Sequence, residues 1–209
     1  MFAATVRRVA ILEPLLVFAM IMAYIWELRY KHRNLWLVIL GLMVLSHLFR
    51  RERATVLGFR ASNLSECLRE FAPALGLLVL LLLAGGLLFQ TVRPINFDQG
   101  FESWAAYLPW GLFQQYILNG YFLKRFDALV SHRLAPRIVA ALFAGAHTPN
   151  WFLMGVTLLA GYCAARLYQR YQNLYFLGIA HATVGFLLFL VVPDSISHHL
   201  NVGPGWFRH

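Results

Sequence analysis

Long uninterrupted apolar runs are the feature that most constrains this chain. Several of them approach the roughly 20 residues that a helix needs to cross the hydrocarbon core of a bilayer. The composition agrees, because 60% of the 209 residues are hydrophobic and 13% are charged, against about 45–50% and about 25% in soluble domains. These values exclude a disordered chain, a coiled coil and a water-soluble enzyme with one buried core. We therefore predict an all-α fold, a polytopic membrane helix bundle.

Charged residues, Pro and Asn divide the apolar sequence into about seven predicted transmembrane segments. Two of these segments, 35–49 and 135–148, are short for a full crossing, so we expect flanking residues to extend them, or the segments to tilt or to be partly re-entrant. The connector 50–71 carries five arginines among apolar residues, a pattern that predicts an amphipathic piece on the membrane surface. No second domain is apparent, so 1–209 is predicted to be one membrane-embedded domain. The seven segments are 10–27, 35–49, 72–90, 103–122, 135–148, 151–165 and 174–192.

The basic residues predict the orientation of the chain. If the N-terminus lies in the cytoplasm, 13 Lys and Arg residues fall on the inner side and 5 on the outer side, as the positive-inside rule expects. The inner group includes Arg7 and Arg8. The first loop runs against the rule, because it places Arg29, Lys31 and Arg33 outside. We expect a multi-pass protein of a bacterial inner membrane. Its net charge of +9 indicates basic loops that contact membrane lipids, and we expect no nucleic-acid partner.

Polar side chains inside three apolar segments mark the candidate site. They are Gln114 and Gln115 in the fourth segment, His147 in the fifth and His181 in the seventh. Polar groups at this depth are costly and usually functional. Gln115 and the two histidines each lie ten or eleven residues from an inner-side arginine, which is about 15 Å of helix. We therefore predict that they share one internal polar site, the alternative being that each only hydrogen-bonds a neighbouring helix.

The residues around the histidines predict the local structure. Gly178 and Ala182 form a small-xxx-small face beside His181, which favours close packing of two membrane helices. Pro149 is expected to end or kink the helix that carries His147, and Asn150 is placed to cap the next one.

One carboxylate, Glu13, also lies inside an apolar run, and Arg8 is its expected partner because it lies five residues earlier.

Two imidazoles begin a zinc site but do not complete one. Hydrolytic zinc normally has three protein ligands and a water, and a carboxylate that takes a proton from that water. Gln114 and Gln115 offer only neutral amides, which accept no proton at physiological pH. By themselves, the residues predict half of a metalloenzyme site.

The order of these motifs resembles the CPBP family of intramembrane proteases, which includes the type II CAAX prenyl proteases, bacteriocin-processing proteins and Abi proteins. The family pattern is Glu-Glu-x-x-x-Arg, then Phe-x-x-x-His, then His-x-x-x-Asn or Asp. The corresponding stretches here are Gln-Gln-Tyr-Ile-Leu-Asn at 114–119, Phe-Ala-Gly-Ala-His at 143–147 and His-Ala-Thr-Val-Gly at 181–185. The resemblance covers about 100–192.

The resemblance implies an intramembrane metalloendopeptidase that cleaves peptide bonds near the membrane. Its substrate would be a peptide or a prenylated or otherwise lipidated protein. His147 and His181 would be zinc ligands, and Gln114 and Gln115 would take catalytic positions, orienting water or a carbonyl.

The chain is a divergent member, because Gln-Gln replaces Glu-Glu, Asn119 replaces the Arg, and Gly185 replaces the last Asn or Asp. The amides keep the shape of the glutamates and remove their charge, so the fold is inherited more safely than the activity. Two alternatives therefore stay open, a non-catalytic protein that binds a peptide or lipidated partner, and a small transporter.

Overall fold

The protein is all-α, as predicted. The computed structural model describes the backbone of residues 2–208 and the side chains of residues 10–207, and it contains no strand within that range. Seven main helices follow one another, each within one predicted segment or overlapping it. They are α1 (Phe2–Ala23), α2 (Leu35–Phe49), α3 (Leu64–Leu88), α4 (Phe97–Gln115), α5 (Ala135–Gly145), α6 (Trp151–Tyr171) and α7 (Leu174–Val191).

Two of these helices continue through π-helical turns. Helix α1 runs on through Tyr24–Leu28 to Arg29–Lys31, and α4 runs on through Tyr116–Leu123 to Lys124–Asp127. After α7 come the short helix α8 (Asp194–Ser197) and a 3-10 turn at Gly203–Arg208.

Four stretches of the described chain are long and apolar enough to cross a membrane, so this is a multi-pass membrane protein. The number of helices that cross stays a prediction, because α2 and α5 are shorter apolar helices and α4, in the predicted fourth segment, is not among the four candidate stretches of the described chain. The four stretches are Ala10–Lys31, Leu64–Leu88, Trp151–Tyr171 and Leu174–Val191.

The connector 50–71, predicted to be an amphipathic piece on the membrane surface, consists of two parts. Its last part, from Leu64 onward, belongs to α3, and the part before it consists of turns. Leu174 N donates to Gly58 O at 2.8 Å, and Tyr168 Oη donates to Leu57 O at 2.9 Å. Gly58 has a φ of +94°, and a Cβ there would lie 2.8 Å from the Tyr168 ring. The connector is therefore packed against protein around its glycine.

The chain forms two compact units that alternate along the sequence. Unit one consists of Met1–Arg53, Leu118–Arg166 and Asn201–His209, and unit two of Ala54–Ile117 and Leu167–Leu200.

In unit two, small residues let α4 and α7 approach closely. A Cβ on Gly111 would lie 2.8 Å from Gly178 O and 3.1 Å from Ala182 N. A Cβ on Gly178 would in turn lie 2.9 Å from the Leu112 Cα. The close packing predicted from Gly178 and Ala182 is thus confirmed, and it sets the distance between side chains on these two helices.

Candidate functional site

The centre of unit two is a contact between Gln115 and His181. Gln115 Nε2 lies 3.0 Å from His181 Nδ1, and the glutamine is 3% exposed. An amide nitrogen only donates, so in this orientation of the Gln115 amide Nδ1 accepts the bond, and a neutral imidazole carries its proton on Nε2. A glutamate at the same position would accept instead and would reverse the tautomer. The change from carboxylate to amide at position 115 therefore also alters which nitrogen of His181 carries the proton.

Tyr107 also lies beside this histidine. Its ring centroid is 6.3 Å from that of His181. A Cβ added to Gly185 would lie 2.7 Å from Tyr107 Cε1, closer than real contacts allow. Tyr107 thus fills the space in which the Asn or Asp side chain of the family pattern would begin. The close packing of α4 against α7 therefore explains why Gly185 stands where the family pattern has Asn or Asp.

His147 lies in unit one, just after the end of α5. Its Nδ1 lies 2.7 Å from Phe143 O, and its ring packs edge-on against the Phe143 ring at 4.9 Å. A carbonyl only accepts, so Nδ1 carries the proton and Nε2 has a lone pair. Helix α5 ends before Pro149, as predicted, and the Asn150 side chain caps α6 by accepting from Leu153 N at 3.1 Å.

The structure brings Gln115 and His181 together within unit two. Gln114 is half-buried on the same helix, where neighbouring positions point about 100° apart. Because His147 belongs to unit one, the single cavity shared by both histidines and the glutamines stays a prediction.

Zinc does not fit the donor set of unit two. No group of three or more His, Cys, Asp or Glu side chains within the described residues is arranged to hold a metal ion. Beside His181 lies the neutral amide of Gln115, and the Nε2–H tautomer of that contact has no lone pair to offer at Nε2. Two neutral ligands would also leave the full double charge of the ion in a low-dielectric bundle.

An ionic cluster in unit one was not predicted as a site. Arg125 is 3% exposed and holds two carboxylates, and we call the group around it the Arg125 cluster. It donates from Nη1 and Nη2 to the Glu52 carboxylate at 3.1 and 2.9 Å, and from Nε to Glu13 Oε1 at 3.2 Å. His47 Nδ1 lies 2.6 Å from Glu52 Oε2, and Ser46 Oγ accepts from Arg125 Nη2 at 3.0 Å.

Glu13 has further partners in the same cluster. Arg50 donates to Glu13 Oε2 at 2.6 Å, and Tyr121 Oη donates to Oε1 at 3.2 Å. Arg8, the expected partner, lies outside the residues whose side chains are described. Glu13 was the available signal, because it stood inside an apolar run. In the sequence, Arg125 serves as an inner-side charge that orients the chain and as the reference for the depth of Gln115, and neither role predicts a buried ion pair.

Electrostatics hold the Glu52 carboxylate ionised. Burial alone would raise its pKa, but the hydrogen bonds from Arg125 and His47 and their positive charges outweigh burial and lower the pKa below 4.5.

Comparison with known proteins gives one match. Residues 101–187 match the family model described as Rce1-like, type II CAAX prenyl endopeptidase. No curated protein and no solved structure matches the chain. The matched stretch includes Tyr107, Gln115, His147 and His181.

Proposed function

We propose that the chain is a member of the CPBP family of CAAX-type proteases, in line with the match over residues 101–187, and that it keeps the family fold but binds a peptide or lipidated protein tail without cleaving it. The observation that carries this proposal is the contact of Gln115 with His181. Peptide hydrolysis needs a group that takes a proton from water, and a positioned base contributes about 10²–10⁴ in rate. An amide that donates to the imidazole cannot fill that role.

The same pair suits recognition of a peptide. Gln115 has a carbonyl and an NH2 group, which match the N–H and C=O of a peptide bond. A peptide backbone inside a membrane protein needs such partners, because an unpaired polar group there costs several kcal/mol. The family description names CAAX prenyl substrates, so the ligand class we propose is a prenylated C-terminal peptide. We place the protein in a bacterial inner membrane with its N-terminus in the cytoplasm.

One feature favours a second candidate, a metallopeptidase. The bond from His147 Nδ1 to Phe143 O leaves Nε2 as an acceptor, and metal-binding histidines are commonly oriented in this way.

A comparison of native protein with the double variant Gln114→Glu/Gln115→Glu separates the two candidates. Zinc is measured by elemental analysis, cleavage with a membrane-peptide library, and binding by anisotropy of a fluorescent farnesylated peptide. We expect the native protein to contain far less than one zinc per chain, to cleave nothing and to bind the peptide, with binding weakened by His181→Ala. The double variant should bind more zinc.

Gln90→Glu is the matched control, because it makes the same chemical change at an exposed position. Stoichiometric zinc together with chelator-sensitive cleavage by the native protein would show a working metallopeptidase and refute the proposal. Absence of peptide binding, or binding unaffected by His181→Ala, would refute it as well.

A further inference from the structure

An open polar cavity lies at the end of the first candidate span, within unit one. Its volume is about 620 Å³, and the proposed function makes no use of it. Its lining combines two cationic side chains with aromatic ones: Tyr24, Arg29, Tyr30, Arg33, Asn34 and Trp36.

The backbone around the cavity is irregular and tied in place. Helix α1 widens into a π-helical turn at Tyr24–Leu28, and such turns occur frequently at functional sites. Tyr24 Oη donates to Arg33 O at 2.8 Å, so the loop after the helix is held against the helix end. The two sides of the cavity therefore have a defined spacing.

Arg29 is held in place on the wall of the cavity. Its Nη2 donates to Tyr30 Oη at 2.6 Å and to Val202 O at 3.0 Å, and its guanidinium lies 4.8 Å from the Tyr30 ring centroid. Its Nε–H is buried and has no acceptor in the described part of the chain, so the charge of the guanidinium, and not its Nε–H, is what Arg29 offers to the cavity.

Among the described side chains, no carboxylate neutralises the positive charge of the cavity. Lys31 pairs with Glu27 at 2.7 Å, and these two charges cancel. No carboxylate of the described side chains lies within 4.0 Å of a guanidinium nitrogen of Arg29 or Arg33. Two cations thus face the same open space without a counter-charge.

We propose that this cavity binds the phosphate of an anionic phospholipid headgroup. Guanidinium groups match phosphate oxygens in charge and geometry. The cavity lies at the end of the span Ala10–Lys31, which is the level of the headgroups in a bilayer. Tyr and Trp are the side chains that favour this level. Dissolved phosphate has the same chemistry, but the membrane supplies lipid phosphate at this level at high local concentration.

This assignment also gives a reason for the basic first loop. In the predicted orientation Arg29 and Arg33 run against the positive-inside rule, and a bound anion would offset their charge. The proposal does not depend on that orientation, because both membrane surfaces present phosphate, nor does it depend on the proposed peptide binding.

Binding of dioctanoyl phosphatidylglycerol to purified full-length protein in detergent tests the proposal, with dioctanoyl phosphatidylcholine and sodium phosphate as comparison ligands. Arg33→Gln is the informative variant, because Arg33 is exposed and, among the described residues, no hydrogen bond or ion pair of its side chain is seen, whereas its backbone carbonyl accepts from Tyr24. We expect it to weaken binding of phosphatidylglycerol about tenfold, the value of one charge-assisted hydrogen bond. Lys31→Gln is the control, because it removes the same charge outside the cavity, and it should change binding less than about twofold.

The remaining outcomes decide the proposal. Equal weakening in the two variants would mean attraction to general surface charge and would overturn the site. Phosphatidylcholine binding as tightly as phosphatidylglycerol would overturn the preference for an anionic headgroup. Sodium phosphate binding as tightly as phosphatidylglycerol would overturn the lipid as the source. Equal thermal midpoints for native protein and Arg33→Gln exclude misfolding as the reason for a loss.

Discussion

His181 depends on the side chain opposite it for the position of its ring proton. In the native protein Gln115 Nε2 donates to Nδ1 at 3.0 Å, so the proton is expected on Nε2. We predict that Gln115→Glu moves it to Nδ1, since an ionised carboxylate only accepts. Nitrogen-15 NMR of histidine-labelled protein distinguishes the two tautomers, with Gln90→Glu as control. The same tautomer in native protein and Gln115→Glu would contradict the assignment.

Gly185 is predicted to be intolerant of any side chain, because a Cβ there would lie 2.7 Å from the Tyr107 ring. Gly185→Ala should therefore reduce the free energy of unfolding by about 1–3 kcal/mol, as overpacking commonly does. In a Tyr107→Ala background the same Gly185→Ala change should cost much less, because the clash is absent there. Unfolding in mixed micelles with increasing SDS measures these differences.

Gly76→Ala in α3 is the matched control, since nothing lies within 4 Å of the added Cβ. There the higher helix propensity of Ala should stabilise the protein slightly. Equal effects at the two glycines would mean that the Tyr107 ring moves aside at little cost, which would contradict the predicted clash.

At the scale of elements, the Arg125 cluster joins α1, α2 and the helix that continues α4 in unit one. Arg125→Ala would leave Glu13 and Glu52 without their buried partner, so we expect a loss of about 3 kcal/mol or more in the free energy of unfolding. Arg50→Ala is the comparison, because the Arg50 side chain is 39% exposed although it also pairs with Glu13. It should cost about 1 kcal/mol or less. Similar losses in both variants would contradict a special role for the buried arginine.

The cluster also predicts a dependence of stability on pH. Because the folded protein lowers the pKa of Glu52 below 4.5, the ionised carboxylate stabilises the fold fully above about pH 4.5. That contribution is lost as the pH falls through the folded pKa. Glu52→Gln should therefore be less stable than native protein at pH 7, and the difference should shrink on acidification. SDS unfolding between pH 3 and pH 7 measures it, and a constant difference would contradict the assignment.

The number of membrane crossings determines on which side of the membrane each loop lies. Seven crossings place the loop after α2 and the segment after α7 on opposite faces. Single cysteines at the exposed positions Thr55 and Ser195 report on these two places. The exposed Cys163 is first replaced by Ser, whereas Cys67 is buried. An impermeant maleimide should label Thr55→Cys from the cytoplasmic side and Ser195→Cys from the other side. Labelling of both from one side would show that the number of crossings is wrong.

The helices could be predicted from the sequence because a membrane span satisfies its own backbone hydrogen bonds. Its limits therefore depend on nearby residues, such as Pro149 after α5 and the cap Asn150 before α6. The close packing at Gly178 and Ala182 could be predicted for a related reason, because small residues spaced along one helix face let any neighbouring helix approach closely. The start of α3 could not be predicted in this way. The helix begins before the apolar run, among charged residues that gave no sign of a helix.

Only the tertiary structure decided which polar groups meet. Glu13 and Arg125 are 112 residues apart in sequence and Gln115 and His181 are 66 apart, and no local pattern encodes such a contact. Tyr107 shows the same limit, because its role appears only where its ring fills the space beside Gly185. An apolar run forms a membrane helix because of its own residues and the surrounding bilayer. Hydrogen bonds and ion pairs form over a few ångströms, between residues that only folding brings together.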